Sequence, residues 1–180
     1  ILDETDNIIE IFQALLRISQ IEGGSRKSKF KETDLSEIFC KIAEIFDPVA
    51  EDHNHQLTID IEPNSSFIIK GDVELLTQMI ANLVENAITH CSAPSQINLR
   101  LYHELNKIHL EVNDNGPGIP DDETKRVMER LYRLEKSRTT PGNGLGLSLI
   151  KAVADLHDFE VDLQDNKPGL KAVILIHQNN

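Results

Sequence analysis

The chain has 180 residues, 39% of them hydrophobic and 4% aromatic, with no tryptophan and a formal net charge of -12. That size and apolar content fit one domain with an aliphatic core and a small appendage. The negative charge argues against nucleic acid as a partner, because such binding rests on neutralised phosphates. Cys40 and Cys91 are isolated, lack metal-ligand spacing, and read as reduced thiols. No apolar run approaches the ~20 residues that a membrane helix needs. The opening Ile1-Leu2, without Met, reads as the start of a piece of a longer protein.

Residues 1–22 read as one helix. Leu2, Thr5, Ile9, Phe12, Leu16 and Ser19 fall at heptad-like spacing, Ile8, Leu15 and Ile18 widen the stripe, and Gly23-Gly24-Ser25 ends it. So wide a stripe needs cover, from the chain's own body or from a helical bundle completed upstream or by a second copy. Residues 25–31 are polar and basic and read as a solvated linker. Asp34 is an N-cap, with Glu37 completing a capping box, for a helix over 35–52 that contains Pro48, where a kink or an early end is expected. Residues 56–62 and 66–70 read as two short strands around Pro63-Asn64-Ser65, and Gly71-Asp72 introduces a helix over 73–90. Strands follow at 95–103 and 107–113, then a helix over 121–133, an irregular loop over 134–143, a helix over 145–157, and strands at 159–164 and 170–177. Helices alternating with strand pairs favour α+β: a helical layer on one face of a mixed sheet, rather than a doubly wound parallel sheet.

Three stretches carry chemistry. The strand 107–113 leads into Asp114-Asn115-Gly116-Pro117-Gly118-Ile119-Pro120, a carboxylate at the lip of a stiff loop poor in side chains. Glycine there permits positive φ and close backbone approach, and proline stiffens the turn. On the helix 73–90, Asn82 and Asn86 are four residues apart on the polar face and so stack one above the other. Asn is a poor interior helix former, and two on one face suit oxygen ligation of a hard cation such as Mg²⁺. Lys125, Arg126, Arg130, Arg133, Lys136 and Arg138 crowd together in an otherwise acidic chain, which points to an anion site. Lys125 and Arg126 read as solvated helix surface, whereas Arg133, Lys136 and Arg138 are placed to reach a phosphate. Gly142-Asn143-Gly144-Leu145-Gly146 then opens a helix, where backbone N–H groups can face a phosphate.

In this order, residues 72–157 resemble the ATP-binding catalytic domain of sensor histidine kinases. That domain lies within the wider ATPase superfamily of type II topoisomerases, mismatch-repair ATPases and heat-shock chaperones. Residues 78–87 look like the Asn box and residues 114–120 like the first glycine box. Residues 129–138 look like the box normally centred on Phe, and residues 142–146 like the second glycine box. Residues 1–24 resemble the second helix of the dimerisation and phosphoacceptor hairpin, followed by a linker over 25–33 and a catalytic domain over 34–180.

The resemblance implies a two-layer α/β sandwich that binds ATP and Mg²⁺. It implies that Asp114 accepts the adenine amine, that Asn86 coordinates Mg²⁺ with support from Asn82, and that Gly116 and Gly118 shape the base loop. It assigns Arg133, Lys136, Arg138, Gly142, Gly144, Leu145 and Gly146 to the phosphates. It further implies γ-phosphoryl transfer to a histidine on a hairpin helix, relay to a response-regulator aspartate, a homodimer in the full-length protein, and a cytoplasmic setting for this portion, with the full-length protein anchored in the inner membrane as one option. Thr89 and His90 stand where the family often has Lys and Tyr, Leu131 replaces the usual Phe, and the phosphoacceptor motif is absent from this sequence. The alternatives are a degenerate nucleotide-binding interaction module and a standalone ATPase of the same superfamily.

Overall fold

The computed structural model describes residues 2–120, 122–124, 126–132 and 144–177. Helix α1 (Leu2–Glu22) is followed by a 3-10 turn (Ser25–Lys29), strand β1 (Lys31–Asp34), helix α2 (Leu35–Asp52), and strands β2 (His55–Ile61) and β3 (Ile68–Gly71). Helix α3 (Val73–His90) leads to the hairpin of β4 (Ser95–Glu104) and β5 (Lys107–Asp114), and helix α4 (Gly146–Leu156) to β6 (Glu160–Asp165) and β7 (Leu170–His177).

Five strands form one mixed sheet in the order β2-β4-β5-β7-β6, with β2 parallel to β4 and the other pairs antiparallel. The register places Ile97, Leu99 and Leu101 beside Asp114, Val112 and Leu110, and these alternate residues are buried together with Ile174 and Ile176. Helices α2, α3 and α4 supply the facing layer: Leu35, Phe39 and Ile42, then Leu76, Met79 and Ile80, then Ile150, Val153 and Ala154 join one core. This is the α+β two-layer sandwich expected from the alternation of elements. The other face of the sheet is polar yet not fully open. Glu111 is buried there, accepting from Tyr102 (2.6 Å) and paired with Lys171 (2.7 Å). Burial alone would raise its pKa, but hydrogen bonds from Lys171, Tyr102 and Asn113 hold it below the usual range.

Helix α3 shows how local sequence sets the site's platform. Asp72 caps it, accepting from the N–H of Glu74 (3.1 Å) and Leu75 (3.3 Å). The stripe from Leu75 to Ile88 is buried throughout, so the helix is pinned along its length and its polar face is fixed in azimuth. Asp34 caps α2 through the N–H of Ser36 (2.8 Å). That helix continues through Pro48 to Asp52 on its exposed side, where water can satisfy the freed carbonyl.

Three expectations change. The basic stretch after α1 is structured rather than a free tether. Arg26 Nη2 lies 2.8 Å from Asp72 Oδ2, Phe30 stacks on His157 (4.4 Å), and β1 pairs with β3 in a small antiparallel sheet. The strands around Pro63-Asn64-Ser65 do not pair with each other, because β2 joins the main sheet and β3 joins β1. The expected helix over 121–133 is, among the described residues, a set of turns with a 3-10 segment at Arg126–Met128. Val127 is the only buried residue described there, so no apolar stripe holds a longer helix in place.

Helix α1 docks on α4 through its C-terminal half, where Ile18 and Ile21 are buried. Phe12, 61% exposed, and Leu16, 47% exposed, remain uncovered, so the chain's own body covers part of the stripe. Among the described residues no helix is long and apolar enough to cross a membrane.

Candidate functional site

Asp114 is the last residue of the central strand β5, and its side chain is buried. Its Oδ1 accepts from the N–H of Gly116 (2.8 Å) and of Leu170 (3.1 Å). Its carbonyl accepts from Asn166 Nδ2 (2.7 Å). Two backbone donors, both on Oδ1, anchor that one oxygen.

The glycines here are required by space. A methyl group on Gly116 would stand 2.5 Å from Cys91 Sγ, and one on Gly118 (φ +67) 2.8 Å from the Gly169 carbonyl oxygen. Gly169 (φ +113) is pressed against the Asp114 carbonyl itself. The loop after Asp114 is therefore packed between the end of α3 and the β6–β7 turn.

Helix α3 brings Asn86 to the start of α4, where a methyl group on Gly146 would stand 3.4 Å from Asn86 Oδ1. Asn82 lies one turn earlier on the same half-buried face. Gln78, one turn earlier again, has an Oε1 buried without a hydrogen-bond partner. Neutral amide oxygens on one rigid face fit a hard cation that keeps the rest of its shell for water and phosphate. Helix α4 starts at Gly146 with no side-chain cap on its first turn, and Gly144 before it has φ +67. The first N–H groups of a helix have no partner within the helix, which makes such a turn receptive to an anion.

The structure thus brings Asn82, Asn86, Gly144, Leu145 and Gly146 to one junction of α3 and α4, with Asp114, Gly116 and Gly118 at the adjoining end of β5. Arg133, Lys136, Arg138 and Gly142 lie outside the described residues, as does Lys125. Of the other basic residues, Arg126 covers the Tyr132 ring at 4.4 Å and Arg130 pairs with Glu22 of α1. The Leu131 N–H donates to the Gly144 carbonyl (3.0 Å), tying that segment to the start of α4.

Residues 71–179 match the family described as "Histidine kinase-, DNA gyrase B-, and HSP90-like ATPase". The chain belongs to this ATPase family. Among relatives, the sensor-like histidine kinase SenX3 of Mycolicibacterium smegmatis is 30% identical over 168 residues, which is 92% of this chain and 43% of SenX3. The chain therefore spans less than half of that relative. The mycobacterial sensor histidine kinase MprB superimposes with a TM-score of 0.73 at 25% identity, over 81% of this chain and 97% of that one. Histidine kinase ThkA, solved in complex with response regulator protein TrrA, superimposes with a TM-score of 0.76 at 19% identity, over 99% of this chain and 49% of that one.

Within this ATPase fold, sequence reasoning missed the residues that hold Asp114. Asn166 and Gly169 read only as the turn between the strands 159–164 and 170–177, Leu170 only as the start of the second strand, and Cys91 only as a reduced thiol. The Asn-Lys-Pro-Gly turn carries no local sign that it contacts a loop 52 residues upstream.

Proposed function

We propose that this chain is the ATP-binding catalytic portion of a sensor histidine kinase. It positions the γ-phosphoryl of ATP for transfer to a histidine on a hairpin helix outside this sequence, for onward passage to a response regulator. The observation that supports this best is Asp114: a buried carboxylate fixed by two backbone N–H groups, beside a helix that carries paired amides. Such an acceptor welcomes the exocyclic amine of adenine and repels the carbonyl that guanine presents there.

Asn86, with Asn82, would hold Mg²⁺, which supplies charge neutralisation on the phosphates. The α4 N-terminus, with Gly144, Leu145 and Gly146, offers backbone donors to phosphate oxygens, and Arg133, Lys136, Arg138 and Gly142 are assigned to the same end. The protein's part in the chemistry is positioning and electrostatic stabilisation, since phosphoryl transfer asks little covalent work of it. Residues 1–24 act as the second helix of a dimerisation hairpin. The exposed Phe12 and Leu16 support that reading and a homodimer of the full-length protein. A response-regulator receiver domain is the downstream partner, and this portion works in the cytoplasm.

Calorimetry tests the reading. ATP with Mg²⁺ binds, GTP binds much more weakly, and Asn86→Ala lowers affinity only when Mg²⁺ is present. The chain alone does not label itself from radioactive ATP, whereas adding its upstream hairpin restores transfer. Equal affinity for ATP and GTP would overturn the assignment of Asp114.

A further inference from the structure

We propose that Cys91 is a positioning residue for purine recognition, its thiol holding the Asp114 carboxylate and the Gly116 loop in the geometry that selects a 6-amino group. This rests on the nucleotide reading of Asp114 given above.

Cys91 is the first residue after α3. Its backbone is extended (φ -80, ψ 144), and its N–H still bonds to the Ala87 carbonyl (3.1 Å). The thiol is therefore carried rigidly by the helix that presents Asn82 and Asn86. The base loop rests directly on it: at Gly116 a methyl group would meet Cys91 Sγ at 2.5 Å, Asp114 Oδ1 at 3.1 Å and Cys91 Cα at 3.3 Å. The sulfur sits among the Asp114 carboxylate, the Gly116 N–H and the hydroxyl of Ser95, which itself donates to the Ser92 carbonyl (2.5 Å). Burial, followed by the Asp114 carboxylate, pushes the thiol up to about 12, so at neutral pH it is an S–H donor facing an anion.

Two consequences follow. Cys91 completes the set of donors that orients Asp114, adding a side chain to the backbone amides of Gly116 and Leu170. It also couples the base acceptor to the amide pair, because the helix that carries Asn82 and Asn86 ends at the thiol against which the Asp114 loop rests. Deleting the donor frees the carboxylate to rotate and lets the loop settle, and this weakens the contact to a purine amine while leaving other parts of the nucleotide alone.

The test is calorimetry of the intact chain with Mg-ATP and with Mg-ITP, which carries a carbonyl at the six position. Cys91→Ala should lower ATP affinity about fivefold, as expected for one hydrogen bond, and leave ITP affinity unchanged. Cys91→Ser keeps a donor and should restore most of the ATP/ITP ratio. Cys91→Val fills the space without a donor and should behave as Cys91→Ala does, which keeps the comparison open if the smaller side chain disturbs folding. A wild-type ratio in both Cys91→Ala and Cys91→Val overturns the assignment, as does a parallel fall for both nucleotides, which would mark a structural role. No ATP binding by the wild-type chain would instead sink the nucleotide reading, and this one with it.

Discussion

Arg26, in the turn after α1, lies 2.8 Å from Asp72, the residue that caps α3. The Asp72 side chain is 3% exposed and that of Arg26 is 19% exposed, so this ion pair is largely out of water. It joins the N-terminal segment to the helix that bears the paired asparagines. Removing one partner of such a pair leaves a buried charge uncompensated. Arg26→Met, which keeps the stem, should cost roughly 2–3 kcal/mol in urea unfolding, with an unchanged slope. Lys27→Ala removes an exposed pair with Asp158 (3.6 Å) and should shift the midpoint little. Equal small shifts for both variants would show that the Arg26 pair is no stronger than a surface contact.

His157 gives the fold a dependence on pH. Its Nε2 accepts from the Asp72 N–H (3.0 Å), and its Nδ1 donates to the Val153 carbonyl (2.8 Å), so the neutral imidazole uses both nitrogens. Burial lowers its pKa below the ordinary value. Lys27 adds to the lowering, while the Val153 carbonyl, Asp72 and Asp158 oppose it. The unfolded chain then binds more protons than the folded one between the two pKa values. Stability therefore rises with pH through that window and falls on acidification below about 6.5. His157→Gln removes the titration. The stability gap between wild type and this variant should narrow as urea unfolding is moved from pH 7.5 to pH 5.5. Parallel curves would mean that His157 does not titrate differently in the two states.

Helix α3 and strand β5 were legible in the sequence because their apolar periods, 3.6 and 2, each had one buried face to satisfy. Asp114, Asn82 and Asn86 stood out in the sequence as candidates because a carboxylate beside glycines and two stacked amides are poor choices for plain surface. Strand pairing was legible where a hairpin turn joins neighbours, as for 95–103 with 107–113 and 159–164 with 170–177, but not for β2 and β3. Residues 56–62 and 66–70 each read as a strand, but alternation does not say which strand is the neighbour, and the short turn between them suggested a hairpin that does not exist. The supports of Asp114 were hidden for the same reason: Asn166 and Leu170 are 52 and 56 residues away along the chain. A helix was expected over 121–133, yet Val127 alone is buried among the described residues there.

Gly169 ties the β6–β7 turn to Asp114. At φ +113 it occupies backbone space closed to other residues, and any side chain would overlap the Asp114 carbonyl. Gly169→Ala should lower stability by about 2 kcal/mol or more and reduce ATP affinity with it, because the turn must retreat from Asp114. Gly24 is the control. It has φ +70 but open space around it, so Gly24→Ala should cost only about 1 kcal/mol and leave ATP affinity unchanged. Thermal unfolding and calorimetry on the two variants separate strain from displacement. Unaltered ATP affinity in Gly169→Ala would detach this turn from the site.

The two cysteines report on the surroundings of Asp114 without any nucleotide. Cys40 is exposed on the outer side of α2, whereas Cys91 is half-buried against Gly116. The attacking species in thiol exchange is the thiolate, and burial together with Asp114 raises the Cys91 thiol to about 12. At pH 8 roughly one Cys91 in ten thousand would be ionised. Ellman's reagent should therefore take up one equivalent quickly, and the second only after urea is added. Cys40→Ser should abolish the fast phase and leave the slow one. Asp114→Asn removes the facing anion, so it should speed the slow phase even where the fold is intact. Two fast equivalents in the native wild-type chain would place the Cys91 sulfur in solvent and away from Asp114.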